Sequence, residues 1–119
     1  MPSTEHEIIA DMMSGGLGML DLTIEEQRLM MEGAAEMFPL PADVRTKKIV
    51  ADHVAAEWVS VDSIHTDRVM LYLHGGAYVA GSANTHRALA GRIARATKAN
   101  VLLPDYRLAP EQPFPAALE

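Results

Sequence analysis

Two regimes of apolar spacing divide the chain near residue 41. Before it, apolar side chains recur at the three-to-four-residue spacing of helices. Ile8, Ile9, Met12 and Met13 share one face of a first predicted helix, which Gly15-Gly16 breaks. A second predicted helix opens at Thr23, where Glu26 three residues on completes a capping-box pattern. Met30, Met31, Ala34, Met37 and Phe38 supply an apolar face expected to pack on a core, and Pro39-Leu40-Pro41 is expected to stop the helix. Seven of the eight methionines fall in this stretch. Methionine is flexible and polarizable, so such a face suits loose packing or varied ligands.

From Val44 onward the period shortens. Residues 44–51 and 54–61 are rich in β-branched side chains and predict two strands joined at Asp52-His53. The continuous apolar run 69–73 predicts a strand buried on both faces. A glycine-containing loop, 74–84, follows. Residues 85–98 predict a helix with Leu89, Ala90, Ile93 and Ala94 on one face, and 100–103 another buried strand. Residues 110–115 read as a rigid proline turn leading into the start of a further helix. Strand, glycine loop, helix and strand make a βαβ unit, which implies a parallel pair with a right-handed crossover. The two earlier strands add antiparallel partners at one edge. The fold class is therefore α/β with a mixed sheet.

Length and composition narrow the function. At 119 residues the chain is one ordinary domain. Its 49% hydrophobic and 22% charged residues are those of a globular chain rather than a disordered one. A formal charge of −6 gives no general attraction to nucleic acid or anionic lipid. The absence of cysteine excludes disulfides, thiolate metal sites and a cysteine nucleophile. No apolar run is long enough to span a bilayer, and no signal-peptide pattern opens the chain, so a cytoplasmic protein is expected.

The glycine loop carries the candidate chemistry. A glycine-rich turn between a buried strand and a helix lets a ligand approach the backbone. Residues 74–81, His-Gly-Gly-Ala-Tyr-Val-Ala-Gly, lack the glycine spacing of a dinucleotide fingerprint and the Gly-Lys-Ser/Thr ending of a P-loop. A phosphate-binding α/β domain is thus the weaker reading. A His-Gly-Gly-Ala-aromatic loop after an apolar strand fits an oxyanion hole better. Acyl transfer places negative charge on a former carbonyl oxygen, and fixed main-chain donors aimed at that point stabilise it.

Two long motifs then make the sequence specific: residues 70–82, Met-Leu-Tyr-Leu-His-Gly-Gly-Ala-Tyr-Val-Ala-Gly-Ser, and residues 105–117, Asp-Tyr-Arg-Leu-Ala-Pro-Glu-Gln-Pro-Phe-Pro-Ala-Ala. In order and separation they resemble the hormone-sensitive-lipase-like esterases of the α/β-hydrolase fold. The resemblance implies an N-terminal portion of that fold: residues 1–41 as cap helices and 42–119 as the first part of the core. It implies that Gly76 and Ala77 offer oxyanion amides, with Gly75 shaping the turn. His74 would brace the loop without being the catalytic base, Ser82 and His86 would hold the loop to the helix, and Tyr78 would wall the pocket. Arg107 would pin the segment that follows Asp105. The methionine-rich segment would serve as a pliable lid and acyl-pocket wall.

Family chemistry also needs a serine on a Gly-x-Ser-x-Gly elbow, then an acid and a histidine. None of Ser3, Ser14, Ser60, Ser63 and Ser82 has both flanking glycines. None of His6, His53, His65, His74 and His86 follows a suitable serine and acid, and none shows a zinc-type spacing. The resemblance therefore puts the whole triad beyond Glu119, on the missing C-terminal part of the same hydrolase. The implied activity is carboxylic ester hydrolysis through an acyl-serine intermediate, without metal or organic cofactor, on a small ester substrate. The 119 residues alone are expected to be inactive. A non-catalytic ligand-binding module on a hydrolase-like fold is the alternative, and homo-oligomerisation stays open.

Overall fold

The computed structural model describes residues 2–14 and 21–119, with the side chains of Met12 and Met13 left aside. The predicted Gly15-Gly16 break lies outside these residues. Helices α1 (Thr4–Ser14) and α2 (Ile24–Ala35) precede strands β1 (Val44–Ala51), β2 (Val54–Val61) and β3 (Val69–Leu71). Helix α3 (Ala83–Thr97), strand β4 (Asn100–Pro104) and a 3-10 turn at Ala116–Leu118 complete the order. The chain is α/β, with helices on a mixed four-stranded sheet that does not close, as the sequence leads one to expect.

The four strands lie in the order β1-β2-β4-β3. β1 and β2 form an antiparallel hairpin in which Val44 faces Val61 and Ala51 faces Val54. Asp52 makes the tight turn possible by taking a left-handed φ of 53°, a conformation Asp tolerates better than most residues. β4 pairs antiparallel with β2 and parallel with β3, with Met70 opposite Val101. The chain reaches β4 from β3 through α3, so the βαβ unit and the mixed sheet both match expectation.

The core forms where α3 lies on one face of the sheet. Alternate strand residues Val44, Val59, Val61, Val101 and Leu103 meet Ala83, Ala90 and Ala94 of α3. Small residues on the helix permit close approach: a Cβ at Gly91 would come within 3.1 Å of a Val44 methyl. The helix starts one turn-fraction earlier than the periodicity predicts because Ser82 caps it, with Thr85 completing a reciprocal box. Leu89, expected on the buried face, is partly exposed, since alanines take the contact positions.

Two expectations are corrected. The run 69–73 is not buried on both faces: its strand is only Val69–Leu71, and Val69, Leu71 and Leu73 are 57%, 60% and 63% exposed. β3 is an edge strand in this chain, and only the face carrying Met70 and Tyr72 meets the core. Nor does α2 bury a methionine face. None of its residues is buried, it ends at Ala35 before Met37 and Phe38, and Met37 is 76% exposed. Polar tethers hold α2 instead. Glu32 accepts hydrogen bonds from Ser82 and Asn84 at 2.6 Å each, and Arg28 reaches across to residues 79, 109 and 111.

Candidate active site

The loop after β3 winds through an unusual backbone. Gly76 (φ 138°), Ala77 (φ 54°), Tyr78 (φ 62°) and Gly81 (φ 90°) all have positive φ. Two of these are not glycine, and a left-handed L-residue costs about 1–2 kcal/mol. Surrounding contacts must hold such a loop. The amides of Val79 and Ala80 both donate to the Gly76 carbonyl at 3.0 Å, and the Ala109 amide donates to the Tyr78 carbonyl at 2.9 Å.

The glycines are not equivalent. A Cβ at Gly76 would sit 1.9 Å from the Ala80 carbonyl oxygen, and one at Gly81 would sit 2.4 Å from the Gly75 oxygen. Gly75 has no positive φ, and a Cβ there meets nothing within 4 Å. So Gly76 and Gly81 are required by the turn itself, whereas Gly75 keeps space open in front of it.

That space is a cleft of about 310 Å³ lined by Leu73, His74, Gly75, Gly76, Ala77, Tyr78, Tyr106, Ala117 and Leu118. The amides of Gly75, Gly76 and Ala77 donate to no acceptor among the described residues. A second, mainly apolar cleft of about 270 Å³ shares Tyr78, Ala117 and Leu118 with the first and continues toward Phe114 and Arg107. Tyr78, itself 59% exposed, stands between them. None of the described residues before Val44 lines either cleft.

Behind the loop lies a stack of rings. His74 is buried; its ring lies 4.2 Å from that of Tyr106 at an interplanar angle of 13° and 5.5 Å from that of His86. His74 Nδ1 sits 2.9 Å from the Gly75 carbonyl oxygen, which can only accept, so Nδ1 is the donor in that contact. The Tyr106 hydroxyl donates to the His74 carbonyl. Burial lifts the Tyr106 phenol above its ordinary pKa, so it stays a donor. Burial, then the neighbouring His74, lowers the pKa of His86. His86 Nδ1 lies 2.8 Å from the Thr85 hydroxyl oxygen. Ser82 caps α3 and joins it to Glu32.

His74, Gly75, Gly76, Ala77, Tyr78, Ser82 and His86 are thus gathered around one strand-to-helix turn. Arg107 does not take the pinning position expected of it: it pairs with Glu119 at 3.3 Å on the surface. The residue in that position is Arg28, which no local pattern marks, because its partners lie 51 to 83 positions away. No cluster of three metal-ligating side chains occurs among the described residues.

Residues 70–119 match the model of a family with the alpha/beta hydrolase fold. An acetyl-hydrolase of Streptomyces hygroscopicus is 36% identical over 123 residues, an alignment taking in 100% of this chain and 40% of that protein. The crystal structure of an esterase from the bacterial hormone-sensitive lipase family superposes with a TM-score of 0.87 at 39% identity, over 99% of this chain and 40% of that one. The chain has the α/β-hydrolase fold and is similar over its whole length to hormone-sensitive-lipase-like esterases. A crystal structure of EstE5 soaked with p-nitrophenyl butyrate is similar to this chain to the same degree, with a TM-score of 0.87 and 38% identity over 98% of this chain and 40% of that one. The chain spans about 40% of the length of these relatives.

Proposed function

We propose that this chain is the oxyanion-hole part of a serine carboxylesterase. The observation that carries the reading is the positive-φ loop whose Gly76 and Ala77 amides have no acceptor among the described residues, at the floor of a cleft. Those two amides are the donors for the tetrahedral oxyanion. Gly75 leaves room for the acyl group, His74 and Tyr106 brace the loop from behind, and Tyr78 separates the two arms of the substrate cleft. The apolar second cleft and the relatives named as an acetyl-hydrolase and as esterases favour esters with short to medium acyl chains.

In this reading a serine Oγ from outside residues 1–119 attacks the ester carbonyl while a histidine takes its proton. The carbonyl oxygen becomes the oxyanion held by the loop. Collapse of the intermediate expels the alcohol, protonated by the same histidine, and water then hydrolyses the acyl-serine. None of the serines of this segment fits the nucleophile's place, because none has the elbow's glycines.

The test is turnover of p-nitrophenyl acetate and butyrate by the full-length protein that carries this segment, with intact mass measured after fluorophosphonate treatment. One adduct and saturable turnover support the esterase. A folded full-length protein with no adduct and no turnover would sink it and favour a binding module instead.

A further inference from the structure

The strained loop needs an anchor, and one side chain from α2 supplies it. Arg28 Nε donates to the Val79 carbonyl at 2.7 Å, and Nη2 donates to the Ala109 carbonyl at 3.0 Å. Nη1 and Nη2 also grip the two carboxylate oxygens of Glu111 at 2.7 and 2.9 Å. All three guanidinium nitrogens are engaged. Ala109 closes the circuit, since its amide donates to the Tyr78 carbonyl while its own carbonyl accepts from Arg28.

The consequence is geometric. Val79 follows directly on the two left-handed residues Ala77 and Tyr78. Fixing the carbonyls of Tyr78 and Val79 fixes consecutive peptide planes at the end of the strained stretch, and with them the direction of the Ala77 amide. A single planar fork meets this requirement; an ammonium, a point charge without fixed geometry, does not. The same side chain ties the loop to α2, whose own packing buries no apolar residue. Helix and the left-handed stretch of the loop are therefore coupled through Arg28, while Glu32 holds the far end of the loop at Ser82 and Asn84.

We propose that Arg28 is a positioning residue for the oxyanion loop, transmitting the placement of helix α2 to the Gly76 and Ala77 amides through the Val79 and Ala109 carbonyls. Its catalytic consequence rests on the esterase reading above; its effect on the loop does not.

The experiment compares Arg28→Met and Arg28→Lys with the parent in the full-length protein. Two readouts are taken: kcat and KM for p-nitrophenyl butyrate, and amide hydrogen exchange across the whole chain. Loss of the anchor is expected to lower kcat about 10- to 100-fold with KM within about twofold, as small misplacements of reacting groups do. Amides of residues 76–81 are expected to exchange about tenfold faster or more, while those of β2 and β4 stay as they were. Arg28→Lys is expected to recover only part of kcat. Uniformly faster exchange, or an unchanged kcat with an unchanged loop, would overturn the proposal. If the parent turns over no ester, exchange alone decides: acceleration confined to the loop upholds the anchor while the esterase reading fails, and none refutes it.

Discussion

Glu57 on β2 and Arg87 on α3 face each other in a two-point ion pair, with Nε to Oε2 at 2.7 Å and Nη2 to Oε1 at 2.6 Å. Glu57 is buried at 4% exposure. Its carboxylate cannot draw on bulk water, so the pair locks the register of α3 against the sheet, and with it the loop that leads into α3. Arg87 has its pKa raised further by the same contact. Arg87→Met should destabilise the fold by about 3 kcal/mol, the low end for stranding one buried charge because Arg87 is partly exposed. The Glu57→Gln/Arg87→Met double variant should recover much of that loss. Urea unfolding of the four corners of the cycle checks it; equal losses in the single and double variants would count against a coupled pair.

Gly75 and Gly76 are neighbours with opposite requirements. Gly75→Ala should leave the melting temperature within about 2 °C, an ordinary surface-scale change, because its methyl enters open space. In the full-length protein, under the proposed esterase function, it should still slow turnover, because that space is the cleft in front of the proposed oxyanion donors. Gly76→Ala should instead disrupt the loop, since its methyl would meet the Ala80 carbonyl at 1.9 Å and its φ is 138°. Thermal melts and loop amide shifts distinguish the two; equivalent behaviour would refute the assigned division of labour.

Arg28 holds the Glu111 carboxyl down to a pKa of about 2 from its ordinary 4.5. A carboxylate depressed in the folded state stabilises it above the unfolded pKa and loses that contribution as pH falls through the folded one. The stabilisation from the Arg28–Glu111 contact should thus be full above about pH 4.5 and be lost as pH falls toward about 2, while the contact itself persists in the folded chain at pH 4. Carbon-13 titration of Glu111 reads this directly, and in Arg28→Met the midpoint should move back toward 4.5. A midpoint already near 4.5 in the parent would mean the contact does not hold in solution.

Ser82 serves α3 twice, accepting from the Thr85 amide at 3.2 Å and donating to Glu32 at 2.6 Å. Ser82→Ala should cost about 1 kcal/mol through the lost cap, with faster exchange in the first turn of α3. Ser82→Asp keeps a capping oxygen but faces Glu32 with a second carboxylate, so it should restore the cap and loosen α2. Denaturant melts together with exchange in α2 separate the two contributions.

Much of this architecture is legible in the sequence because it is local. The hairpin shows in β-branched runs around Asp52-His53, α2 in the Thr23–Glu26 box, and the βαβ unit in an apolar run, a glycine loop and an amphipathic stretch. The His-Gly-Gly-Ala-Tyr motif names the turn, because four positive φ values in six residues demand glycine where a Cβ would strike backbone. Periodicity does not reveal which face of a strand will be covered. The run 69–73 is apolar throughout, yet strand order puts β3 at an edge and leaves Leu71 and Leu73 open. Likewise α2 has the composition of a packed helix but is held by Arg28 and Glu32. The difference is one of range. Caps, turns and alternation are decided by residues two to four apart and can be read along the chain. Edges, uncovered faces and long polar tethers are decided by partners that only folding brings together, as Arg28 is to Glu111 across 83 positions.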